Sequence, residues 1–326
     1  MKLKLFFIVY LIILLNGYTS AQITEIESKL RSKSADTTKG WKSGGIVSIN
    51  LSLTSLTNWA AGGQNSFSVN GFYSFFMNYK NDNISLDNML DIGYGILKQG
   101  QDSEYRKTDD RFDFLSKYGR QAFNNFYISG LFNFKTQMTI GKDYSKDKAK
   151  ISNFLSPAYL IGALGMDFKP DNYVSTFFAP LTGKITIVKD QDLADAGAFG
   201  VEKAVYDNTG KIIREGRNTK KEFGGYARLI YTRNNFESEL LKNISITSKI
   251  DFFSNYIHKP QNIDISWETL ITLRVNKYIA ININSHLVYD DDVLVAIDKN
   301  NDGIVERYGP RVQFKQIIGL GFSYKH

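Results

Sequence analysis

Apolar and polar residues alternate with period two over long stretches of this chain, the spacing that puts successive side chains on opposite faces of a β-strand. From Ser66 to Tyr79 one face carries Phe67, Val69, Tyr73, Phe75, Met77 and Tyr79, and the other Ser66, Ser68, Asn70, Ser74 and Asn78. Between Ile263 and Val275, Ile263, Ile265, Trp267, Ile271, Leu273 and Val275 alternate with Asp264, Ser266, Glu268, Thr272 and Arg274. The rhythm continues with Ile279, Ile281, Ile283, Leu287 and Tyr289 set against Ala280, Asn282, Asn284, His286 and Asp290, and returns from Phe314 to Lys325. These runs exceed the roughly five or six residues of an ordinary globular strand.

Taken along the whole chain, the pattern predicts twelve strands, over 44–57, 65–80, 84–98, 109–120, 125–140, 157–169, 173–188, 222–233, 243–256, 262–276, 278–290 and 311–325. Their connections alternate in length. Asn81-Asp82-Asn83, Gln121 to Asn124 and Pro170-Asp171-Asn172 are short turns, and Lys277 alone closes the tenth. The third, fifth, seventh and eleventh are long, the seventh running from about Lys189 to Lys221. An even strand number with short turns at one end and long loops at the other describes an all-β, antiparallel up-and-down transmembrane barrel. Lipid offers backbone groups no partner, and a closed barrel leaves no strand edge unbonded. The apolar faces then meet lipid and the polar faces line a narrow lumen. Both termini fall on the short-turn side, which is periplasmic in such barrels. Within the seventh connection, Asp192 to Ala204 is composed like a short helix, and Asp207-Asn208-Thr209-Gly210 reads as a hairpin turn.

The amino terminus places this barrel in an export route. Lys2 and Lys4 precede an apolar run from Leu5 to Leu15, and Thr19-Ser20-Ala21 offers a cleavage site, so residues 1–21 read as a secretory signal peptide. Residues 22–42 are polar and form a periplasmic leader, and 43–326 form the barrel. No cysteine occurs, which excludes both a disulfide framework and a lipid anchor at the cleavage site. With 23 Phe, 19 Tyr and 26 Gly against 5 Pro, the composition suits long strands. The net charge of +7 is a mild bias and implies no nucleic-acid partner. The expected location is the bacterial outer membrane, in contact with its lipid and lipopolysaccharide.

Several groups could carry chemistry. Asp298, Asn300 and Asp302 followed by Gly303 match the front half of a calcium loop, with Glu306 or Asp290 to Asp292 able to complete a Ca2+ site. Gly309 stands at the twelfth position, so this is no EF-hand. Asp87, Asp91, Arg111, Asp113, Lys117, Lys135, Lys249, Asp251, Glu268, Arg274 and Lys315 fall on polar strand faces and form a lumen charge network, either bracing the barrel or lining a selective pore. An enzyme is not expected. The chain has only His258, His286 and His326, and in Asn284-Ser285-His286 alternation splits the serine and histidine across the wall. On the loops, Lys142, Lys146, Lys148 and Lys150 are interleaved with Asp143 and Asp147, while Arg214, Arg217, Lys220 and Lys221 make a basic cluster able to meet anionic lipid or a protein partner.

Gly40-Trp41, the run Leu53 to Gly63, Gly309 to Lys315 and Gly319 to Lys325 form blocks spread over essentially the whole mature chain. In these blocks the chain resembles a family of outer-membrane proteins common in Bacteroidetes, catalogued as the domain of unknown function 3078. The resemblance implies an outer-membrane barrel and supplies no catalytic residues. Within the run Leu53 to Gly63, Trp59, Gly62 and Gly63 mark an outer loop that folds back at the barrel mouth. Two functions follow as expectations: a structural or accessory component of an outer-membrane secretion or assembly complex, and a narrow channel or small-solute transporter. A lipid-acting enzyme stands behind both.

Overall fold

The computed structural model describes residues 39–56, 64–100, 104–144, 148–171, 173–233, 236–238, 241–276, 279–297 and 307–325. The expected signal peptide over residues 1–21, residues 22–38 of the expected leader, the expected outer loop of Trp59, Gly62 and Gly63, and the residues Asp298, Asn300, Asp302 and Glu306 expected to form a calcium site lie outside them.

The alternating segments form strands because each can turn one face to lipid and the other inward. They are β1 (Gly40–Thr54), β2 (Ser66–Lys80), β3 (Ile84–Gln99), β4 (Arg106–Phe123), β5 (Phe126–Thr136), β8 (Ala158–Phe168) and β9 (Val174–Ile187). The series continues with β12 (Thr219–Arg233), β13 (Ile244–Asn255), β14 (Ile263–Arg274), β15 (Ile279–Tyr289) and β18 (Gln313–Lys325). Each pairs antiparallel with its neighbours, and the sheet closes because β1 bonds to β2 on one side and β18 on the other. β1 begins at Gly40, so Gly40, Trp41 and Lys42, read as the end of the leader, pair with Lys80, Tyr79 and Asn78.

Apolar side chains face outward, as lipid requires. Ile128, Leu164 and Ile318 are 63%, 62% and 64% exposed, whereas Ser74, Asp91 and Asp167 on inward faces are all but inaccessible. At the short-turn end, stacked rings of Phe123, Phe126 and Phe168 and the Trp41–Tyr79 pair supply an aromatic girdle. Among the described residues no helix is long and apolar enough to cross a membrane.

The long loops carry structure of their own. The fifth holds the hairpin β6 (Gly141–Asp143) and β7 (Ala149–Ser152), and the eleventh holds β16 (Leu294–Ile297) and β17 (Arg307–Pro310). The seventh contains the short helix α1 (Gln191–Asp195), which begins one residue before the stretch expected to be helical, Asp192 to Ala204, and covers only its first turn. Its hairpin, β10 (Val205–Tyr206) and β11 (Ile212–Arg214), turns at the expected Asp207–Gly210. The expected helix ends early because Gly197 and Phe199 take positive φ, which breaks the repeat. Val188, Leu193, Ala194 and Val201 make a small buried cluster that holds this loop together.

Candidate functional site

The lumen is braced by buried charges. Alternation places Arg111 on the inner face of β4 and Glu268 on that of β14, and Arg111 Nη1 donates to Glu268 Oε1 at 2.8 Å. In the barrel five strands separate β4 from β14 in either direction, so this bridge spans the full width of the lumen. Glu268 also takes Lys249 Nζ at 3.0 Å from the adjacent β13. The Arg111 guanidinium lies over the Phe72 ring at 5.4 Å, which supports it from β2.

The other expected lumen charges are distributed around this strut. Asp113 accepts from Asn133 at 2.6 Å and faces Lys135 at 3.6 Å. Asp251 receives both Nε and Nη2 of Arg228, at 2.5 and 3.1 Å, and the Tyr226 hydroxyl at 2.8 Å. Such a two-pronged guanidinium contact fixes orientation as well as charge. Asp91 takes the Ser74 hydroxyl at 2.5 Å. Toward the short-turn end, Lys117 donates to the fully buried Asp167 at 2.7 Å, while Lys169 links Asp167 to Asp87 at 3.2 and 3.7 Å. Lys315 reaches Asp109 across the barrel at 2.9 Å. Arg274 sits at the short-turn end of β14, apart from the strut.

Arg228, Asp167, Lys184, Glu222 and Asp109 add to the expected lumen charges. Each sits at an inward position of its strand. Arg228 and Asp167 stand among apolar neighbours, in Tyr-Ala-Arg-Leu and Gly-Met-Asp-Phe, and a lone charge there is the signal that could have found them. Lys184 binds Asp264 at 2.7 Å and lies within 3.7 Å of Glu222 and 4.0 Å of Asp290.

Two unlike flanks share the lumen. From β4 to β13 the wall is filled by Leu131, Ala163, Phe177, Ala179, Tyr226 and Phe253, with Leu115 and Ile161 against them. The opposite flank, on β14, β15, β18, β1 and β2, borders an open cavity of about 70 Å³ lined by Ser48, Asn50, Asn70, Asn282 and Asn284, with Asp109 and Arg111 of β4 on its far side. Above the apolar flank a vestibule of about 400 Å³ opens between Tyr159, Lys184, Asp264 and His286, with Phe199 of the seventh loop at its rim. His286 faces inward as expected. Its Nε2 meets the Ser266 hydroxyl at 3.0 Å rather than that of Ser285, which lies on the opposite face of its strand and receives Gln316.

The loop charges are largely neutralised locally. Lys142 and Lys148 both reach Glu104, whose carboxyl is held below its ordinary range by the Lys148 hydrogen bond. Lys150 bridges Asp190 and Asp192, and Arg214 and Arg217 share Glu202. The expected basic cluster is therefore an ion-paired loop rather than a one-signed patch. The carboxylates proposed to complete a calcium site are likewise engaged, Asp290 near Lys184, Asp291 by Asn262 and Lys259, and Asp292 by Lys220. Among the described residues no group of three metal-ligating side chains converges.

The first half of this braced barrel is also where a known pattern lies. Residues 51–141 match the family model "Protein of unknown function (DUF3078)". The DUF3078 stretch runs from the end of β1 to the start of β6 and so contains Arg111, while Glu268 lies beyond it. The Leu53–Gly63 block falls inside the match, whereas Gly40-Trp41 and the carboxyl-terminal blocks Gly309 to Lys315 and Gly319 to Lys325 fall outside it. No curated protein matches the sequence. Among solved structures, the chain is similar to an outer-membrane channel from Pseudomonas putida F1, at 9% identity and a TM-score of 0.39, over 91% of this chain and 98% of that one. It is also similar to the translocator domain of the autotransporter NalP from Neisseria meningitidis, at 10% identity and 0.30, over 93% and 92%. A third similarity is to Pseudomonas putida OprB, at 7% identity and 0.30, over 87% and 94%.

Proposed function

We propose that this outer-membrane barrel is occluded and serves as a structural or accessory component of an outer-membrane complex in secretion or assembly. The observation that supports this reading is the Arg111–Glu268 bridge, which joins opposite walls while the flank beside it is filled by Phe177, Tyr226 and Phe253. A solute moving along the axis meets this part-buried ion pair, whose side chains are 23% and 10% exposed. Catalysis is not part of the proposal. Ser266 and His286 share a hydrogen bond, but both oxygens of the neighbouring Glu268 are engaged by Arg111 and Lys249.

Planar-bilayer recording of the full chain tests the occlusion. The natural protein is expected to give no unitary current steps, and Glu268→Ala, which releases Arg111, is expected to give them. Steady steps from the natural protein would instead favour a narrow channel for small solutes, the second reading, which the amide-lined flank supports. Participation in a complex is tested by gentle solubilisation: a defined partner at fixed stoichiometry is expected, and a lone monomer counts against it.

A further inference from the structure

We propose that the amide-lined cavity binds the uncharged, hydroxyl-bearing head of an amphiphile that enters sideways from the membrane, between β1 and β18. The starting observation is the seam where the barrel closes. Every other neighbouring pair of barrel strands is joined over ten to fifteen residue pairs. Among the described residues β1 and β18 are joined over only five, Ile46 to Asn50 against Lys325 to Gly321. Continuing that register would set Leu53 opposite Ile318, yet Leu51–Thr54 bond only to β2 and Gln313–Ile318 only to β15.

This unpaired stretch lies within the apolar band. Leu51, Leu53, Phe314 and Ile318 all point outward and are at least half exposed. The inward-facing Ser52, Thr54, Gln313 and Lys315 are exposed as well, although inward residues are covered elsewhere in the wall. Backbone left unbonded at membrane depth is tolerated where it borders a cavity rather than lipid alone. Such a cavity lies directly behind the seam, since Ser48 and Asn50 of β1 and Ile317 and Gly319 of β18 line it.

The cavity wall is built for hydroxyl groups. Ser48 Oγ, Asn50 Oδ1 and Arg111 Nε are buried and have no hydrogen-bond partner, which leaves one donor, one acceptor and one group that can do either. Asn70, Asn282 and Asn284 complete an amide lining. The two ionic groups there are already committed, Arg111 to Glu268 and Asp109 to Lys315, so the site carries no charge to match to an ionic head. A volume of about 70 Å³ holds on the order of five waters, or a head of glycerol size in their place. Gly319 keeps this space open, because a Cβ there would stand 3.2 Å from Asn50 Cβ.

The test uses the full chain folded in vesicles of phosphatidylethanolamine and phosphatidylglycerol, with radiolabelled monooleoylglycerol and free glycerol as probes. The natural barrel is expected to retain the monoacylglycerol through purification. Gly319→Leu, which fills the cavity, is expected to lower retention about tenfold or more, the equivalent of one or two good hydrogen-bonded contacts. Ser48→Ala and Asn282→Leu serve as second variants should Gly319→Leu fail to give the heat-modifiable gel migration of a folded barrel. Unchanged retention in folded variants overturns the site. The chain has no cysteine, so Leu53→Cys with Ile318→Cys puts its only two thiols on opposite sides of the seam, where a disulfide forms only if the strands come together in the continued register. Oxidation is expected to block loading and reduction to restore it. Equal loading with the seam locked, or glycerol retained as well as the monoacylglycerol, overturns entry from the membrane.

Discussion

At the scale of single residues, alternation identifies which side chains face inward but not which of them meet. All eleven charges read from the sequence as lumen residues occupy inward positions, yet their partners come from separations that no local pattern encodes. Arg111 and Glu268 are 157 residues apart, and Lys315 and Asp109 are 206 apart. Outside the membrane, Asp190 anchors the seventh connection. It caps α1 through the Leu193 N–H and receives Asn153 Nδ2 at 2.8 Å and Lys150 Nζ at 2.7 Å. Burial by itself raises its carboxyl pKa, but the hydrogen bonds from Lys150, Asn153 and Leu193 outweigh it, so the group titrates below the ordinary carboxylate range. A carboxylate with a depressed folded pKa stabilises fully above its unfolded pKa and loses that contribution as pH falls through the folded one. The protection factors of the Leu193 and Ala194 amides, their exchange measured against the intrinsic rate at each pH, are therefore expected to be constant from neutral pH to about 5 and to fall below about 4. Protection of those amides that ignores pH would remove Asp190 as the anchor, as would an unaltered Asp190→Ala profile.

At the scale of elements, strand existence was legible and strand ends were not. All twelve predicted strands occur, but β4 starts at Arg106 and ends at Phe123, and β5 stops at Thr136 instead of 140. The reason is that strand ends depend on the length of the neighbour available for bonding, which a one-dimensional pattern omits. Bulges are equally silent in the alternation. Between β8 and β9 the register shifts between Leu164 and Met166, and the residue between them is Gly165. A Cβ at Gly165 would stand 2.0 Å from the Phe178 carbonyl oxygen, so the strands approach more closely there than any side chain permits. Gly165→Ala is expected to destabilise the barrel by about 1–3 kcal/mol, as overpacking does. Gly162→Ala, three residues away and meeting nothing within 4 Å, is the neutral control. The comparison is read from the temperature at which folded-barrel gel migration is lost. Equal loss in both variants would show that strand propensity, not the close approach, governs this site.

At the scale of the whole molecule, the closed sheet sorts its connections, with the fifth, seventh and eleventh loops building hairpins at one end and tight turns closing the other. The long-loop end is expected to face the outside of the cell. An epitope inserted after Thr209, at the exposed Asp207–Gly210 turn, should be reached by antibody on intact cells, and detection only after permeabilisation would reverse the orientation. The sequence by itself determined the strand number, the lipid-facing and lumen-facing sets and the alternation of loop lengths, because lipid on one face and lumen on the other impose a period-two rule that every strand obeys independently. Only the tertiary structure decided which charges brace the lumen, that one flank is filled and the other hollow, and that β1 and β18 part beyond Asn50. Those properties depend on register and closure, which bring residues from distant strands to the same height in the barrel, and no single strand carries that information.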